Sequence, residues 1–99
     1  VQSWRVHGVS GATTIATIWD HRASVVQVIG TPSGGAHYFQ DIVHCNGDYI
    51  SSSTSTVHSL TMKGSPASRT YTVSGVDLNL EMSSGTYNVL TYAVGLSYY

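Results

Sequence analysis

The sequence predicts an all-β fold: one domain over residues 1–99, built as a small antiparallel β-sandwich or barrel of about seven to eight short strands. Three observations predict it. The stretch Val76-Asp77-Leu78-Asn79-Leu80-Glu81-Met82 alternates apolar and polar residues, which sorts them onto opposite faces of a strand. Breaks made of Gly, Pro, Asn and Ser recur roughly every 8–14 residues, the spacing of sandwiches and barrels. No long stretch carries the apolar repeat of a helix.

In chain order, Gln2 to His7 alternates weakly and reads as a strand, with Gly8 and Gly11 marking a turn or bulge. Ala12 to Trp19 is rich in β-branched residues and favours a strand, although Ile15, Ile18 and Trp19 also sit at helical spacing. Ser24 to Ile29 is a β-rich run, and Gly30 to Gly35 is a loop. Ala36 to Cys45 follows, and Asn46-Gly47 is a hairpin signal joining it to a strand that begins at Asp48-Tyr49-Ile50. Ser51 to Thr56 is six hydroxyl residues in a row, a loop or an edge strand. Val57, Leu60 and Met62 lie in another strand, ended by Lys63-Gly64-Ser65-Pro66, and Arg69 to Val73 in the next. Ser83-Ser84-Gly85 then predicts a turn closing a terminal hairpin between Val76–Met82 and Thr86–Tyr98, with Leu78 and Leu80 buried.

Charged residues are only 9% of the chain, and 15 Ser with 11 Thr take their place. With 41% hydrophobic residues and a net charge of −1, the chain folds rather than staying disordered. A hydroxyl-rich surface of this kind suits an extracellular or cell-wall setting. Arg5, Arg22, Lys63 and Arg69 are scattered, so no basic patch points to nucleic acid. No apolar run is long enough for a transmembrane helix. The chain begins at Val1, without Met or a charged leader, which is the expected look of a mature product cut from a precursor or of a chain with its Met trimmed.

Candidate chemistry is sparse. Cys45 is the single cysteine: a buried thiol, a link to another chain in an oligomer, or a nucleophile served by a histidine. His7, His21, His37, His44 and His58 show no metal-ligand spacing, so no metal or other cofactor is expected. They do form a pH-responsive set, because full protonation takes the formal charge from −1 to about +4. Asp77 and Glu81 share a strand face but lie about 13 Å apart, beyond the reach of a glycosidase pair. With no nucleophile elbow and no carboxylate pair, the expectation is a binding protein and not an enzyme. Its contacts would come from aromatic rings that stack on sugars or sit at a membrane interface: Trp4, Trp19, Tyr38, Tyr49, Tyr98 and Tyr99.

In size and style, from Val1 through 99 residues, the chain resembles the secreted, virus-encoded killer toxins of yeasts, those of the zygocin type in particular. Its lone Cys45 departs from the cysteine-rich members. The resemblance implies a secreted antifungal toxin that attaches to a target cell-wall glycan and disrupts the membrane lipid beneath at acid pH. The alternative is a carbohydrate-binding module or lectin.

Overall fold

Alternating sequence becomes eight antiparallel strands in the computed structural model, which describes residues 2–18, 22–47 and 53–97. They are β1 (Gln2–Val9), β2 (Thr13–Thr17), β3 (Arg22–Thr31), β4 (Tyr38–Gly47), β5 (Ser53–Lys63), β6 (Arg69–Ser74), β7 (Asp77–Met82) and β8 (Tyr87–Ser97). Two sheets face each other, a five-stranded sheet in the order β1-β8-β3-β4-β5 and a three-stranded sheet in the order β2-β7-β6. The fold is therefore a β-sandwich, not a closed barrel. Four of the strands run to 10 or 11 residues, longer than the breaks in the sequence suggest. Within the run that begins at Ala12, Thr13–Thr17 is extended as β2, so the helical spacing carries no helix there.

The core lies between the sheets. Val26 and Val28 of β3, Phe39 and Val43 of β4, and Tyr87 and Val89 of β8 face Ile15, Leu78, Leu80 and Met82 of the small sheet. Leu78 and Leu80 are fully buried, as their alternation requires. Thr91 also points inward and its hydroxyl has no hydrogen-bond partner among the described residues.

The terminal hairpin is a correction. β7 does not pair with β8; it pairs with β6 and β2, whereas β8 lies between β1 and β3 in the other sheet. The turn that matters is Gly75-Val76, between the opposed residues Ser74 and Asp77, with Gly75 at φ +60°. Ser83 to Thr86 instead carries the chain from one sheet to the other. Alternation puts Leu78 and Leu80 on an inner face, but it is silent on whether the next strand continues that sheet or roofs it.

Asn46 and Gly47 are not the turn the sequence suggests: both belong to β4, with Asn46 opposite Ser53 and Gly47 opposite Arg22. The connection to the antiparallel β5 lies outside the described residues, while the Ser53–Thr56 part of the hydroxyl run belongs to β5 at the sheet edge. Asp48, Tyr49 and Ile50 lie outside the described residues. Three strands cannot roof five, and β5 overhangs. Val57, Leu60 and Met62 are all exposed along it.

Cys45 is a free, buried thiol on the inner side of β4. Burial pushes its pKa from the ordinary 9.0 up to about 11, which removes the thiolate a nucleophile needs.

Two outcomes follow from this core. Leu80→Ala leaves a cavity at the centre of the small sheet and is expected to cost about 2–5 kcal/mol in urea melts. An unchanged midpoint refutes the packing. Because the folded Cys45 pKa lies above the unfolded one, the stability from keeping the thiol neutral is complete below pH 9 and lost as pH rises through 11. Relative to Cys45→Ala, the wild type should lose about 2 kcal/mol over that window. Parallel stability curves would show that the thiol is not buried in the folded state.

Candidate functional site

Side chains that alternate inward for the core leave their neighbours on the outer face of the five-stranded sheet. The register across the five strands arranges them in rows. One row runs Arg5, Leu90, Ile29, Gln40, Leu60; the next runs Ser3, Tyr92, Gln27, Ile42, His58; a third runs Val94, Val25, His44, Thr56. Asn88 opposes Thr31 at one end, and Tyr38 opposes Lys63. With strands about 4.8 Å apart and like-facing residues about 6.8 Å apart along a strand, this is a shallow grid of alternating apolar and hydrogen-bonding groups.

No other element among the described residues covers this face. Val94 and Leu60 are each 57% exposed, and Val25, Ile42 and Tyr92 are exposed as well. Among the described residues, two shallow depressions stand out on it. Arg5, His7, Ile29, Thr31, Asn88 and Leu90 line the first, over β1, β8 and β3. Gln40, Ile42, His58, Ser59 and Leu60 line the second, over β4 and β5. The His44 and His58 rings meet edge to face at 5.6 Å beside the second depression. Among the described residues no group of three or more potential metal ligands comes together.

The structure separates the residues that the sequence singles out. His7, His44 and His58 share the outer face, and Tyr38 stands at its edge with the Lys63 ammonium 5.9 Å from its ring centre. His37 sits in the loop before β4, its Nδ1 accepting the Ser65 N–H at 2.9 Å. Trp4 points inward and packs against the core, apart from the exposed grid. Trp19, His21, Tyr49, Tyr98 and Tyr99 lie outside the described residues. Tyr92, Gln27, Gln40, Arg5 and Asn88 were not singled out by the sequence, because nothing in their identity says which face of a strand meets solvent.

Also absent from the sequence reading is a charged cluster inside the sandwich. Asp41 is completely buried on β4, and Arg69 of β6 reaches it from the other sheet with Nε and Nη2, the latter at 2.6 Å. The Tyr71 hydroxyl donates to the same carboxylate at 2.5 Å. The guanidinium lies 3.7 Å from the centre of the Phe39 ring and donates to the Ala67 carbonyl. Burial alone would lower the Arg69 pKa, but the hydrogen bond and charge of Asp41 outweigh it and hold the group above its ordinary value. Burial, then the hydrogen bond and charge of Asp41, push the Tyr71 phenol upward. These groups are locked on one another across the two sheets, so the cluster ties the sheets together. Parity along Phe39, Asp41, Val43 and Cys45 is the signal that finds it: a carboxylate on an apolar face requires a buried partner.

Arg69→Met strands the Asp41 charge and should destabilise the fold by about 3–5 kcal/mol, whereas the double change with Asp41→Leu should recover most of that loss. Chemical denaturation of the two variants checks this, and a single variant as stable as the double one would refute it.

No protein-family model matches the chain, and no curated protein matches it. Among solved structures it is similar to the tailspike protein gp49 of the Acinetobacter baumannii bacteriophage Fri1, a capsular polysaccharide depolymerase, with 15% identity and a TM-score of 0.52. The match covers 96% of this chain and 17% of that one, so it is a likeness of fold to one part of a much larger protein. It corrects the expectation of a non-enzyme: the similar structure belongs to a depolymerase, and the lack of a familiar motif is no ground for setting catalysis aside.

Proposed function

We propose that the chain is a carbohydrate-binding β-sandwich domain whose outer five-stranded face holds a segment of polysaccharide. The observation that carries this reading is the uncovered grid itself. Sugar rings present apolar C–H faces and a rim of hydroxyls. The grid offers Tyr92, Ile42, Leu90 and Leu60 for the first, and Gln27, Gln40, His44 and His58 for the second. The two Gln residues are central. Each has donors and an acceptor, the pairing a hydroxyl requires.

The likeness to a capsular polysaccharide depolymerase supports the same reading, because a domain of this fold occurs there within a protein that handles polysaccharide. A broad, shallow face fits an extended chain better than a single small molecule, which requires a deep pocket. Reducing-end release from a bound polysaccharide would show whether binding leads on to cleavage.

A glycan array tests the reading, with vesicle leakage between pH 4 and 8 measured alongside. Binding to a polysaccharide series without leakage is expected. Tyr92→Ala should weaken that binding about three- to tenfold while leaving the melting transition in place. Leakage only at acid pH, with no glycan bound, would favour the killer-toxin reading instead.

A further inference from the structure

The near-zero net charge hides an uneven distribution among the described side chains. Among the described side chains, Asp41 and Arg69 neutralise each other in the core. Asp77 and Glu81 stand on the outer face of the small sheet, because the alternating Leu78, Leu80 and Met82 take the inner one. Arg5 and Lys63 stand on the outer face of the large sheet, with His7, His44 and His58. No carboxylate among the described side chains shares that face.

Lys63 is engaged, donating to the Gly35 carbonyl at 3.1 Å beside the Tyr38 ring. Arg5 has no carboxylate partner among the described residues. It stands on the rim of the first depression, next to a bulge. The β1–β8 register shifts between Val6 and Val9, and Gly8 takes φ +77° there. The Gly8 N–H donates to Asn88 Oδ1 at 3.3 Å, which leaves the two amide hydrogens of Asn88 for a ligand. The Thr31 hydroxyl donates to the Pro32 carbonyl at 3.1 Å, so its oxygen remains an acceptor. Leu90 and Ile29 lie between these groups as an apolar floor.

We propose that this depression binds the carboxylate-bearing sugar of an acidic polysaccharide. The Arg5 guanidinium takes the carboxylate, since its planar fork matches the two oxygens. The Asn88 amide donates to an adjacent ring hydroxyl, Thr31 accepts from another, and the C–H face of the ring rests on Leu90 and Ile29. Arg5 and Lys63 on this face favour the approach of an anionic chain, and Asp77 and Glu81 on the small sheet disfavour it there. This inference rests on the carbohydrate-binding reading and gives it a ligand class.

The test uses the 99-residue chain and matched ligands: oligogalacturonate, its methyl ester, a sulfated oligosaccharide, and vesicles containing phosphatidylserine. Oligogalacturonate should bind at least about fivefold tighter than the ester, which keeps the rings and removes the charge. Arg5→Gln should erase that difference, Glu81→Gln on the opposite sheet should leave it, and 0.5 M salt should shrink it through screening of roughly a 4 Å Debye length. Circular dichroism of each variant confirms that the sandwich is intact. Equal binding of acid and ester, preference for the sulfated ligand, or an unaltered preference in Arg5→Gln overturns this inference and leaves the carbohydrate reading standing. Binding to the vesicles alone, or to no saccharide on the array, overturns both.

Discussion

Asp41 has no access to water, and a carboxylate in that position has to be answered by protein. The answer comes from the opposite sheet. Arg69 spans the core to reach it, Tyr71 donates to it, and the Phe39 ring lies against the guanidinium. Gly30 makes room for that ring, since a Cβ there would sit 2.3 Å from it. The cluster thus joins β3, β4 and β6 in one arrangement. Such buried charge contributes less net stability than apolar packing would, because both ions give up their hydration. Its geometry is specific, however. A slip of one residue along β4 or β6 turns Asp41 or Arg69 to the other face and leaves its partner unsatisfied.

Fixing β6 of the small sheet over β4 also decides what stays uncovered. The three strands roof the inner face of the large sheet, and no element among the described residues covers its outer face. That face is neither fully apolar, as a second core would be, nor fully polar, as a solvated surface would be. Leucine, isoleucine, valine and tyrosine side chains alternate with amides, imidazoles and the Arg5 guanidinium. Val25, Ile42, Leu60, Tyr92 and Val94 are all exposed on it. Among the described side chains its charge has one sign, although the chain as a whole is close to neutral.

The strand content was legible from local pattern. Period two in Asp77–Met82 and the β-branched runs in β2 and β3 each reflect a preference that acts within a few residues. So does the burial of Leu78 and Leu80, since parity alone places them opposite Asp77 and Glu81. The inward aim of Asp41 was legible by the same parity, although its partner was not.

The sequence by itself determined an all-β chain with sorted faces and a single thiol. Tertiary structure alone decided which strands share a sheet, and so separated β7 from β8 after an apparent hairpin turn. It also decided that Trp4 packs inward, that Arg69 finds Asp41 from 28 residues away, and that Arg5 meets Asn88 and Thr31 across three strands. The physical reason is range. Backbone preference and side-chain parity act over neighbours, whereas strand pairing and the site it assembles depend on contacts between distant residues. Those contacts are settled only when the two sheets close over one core.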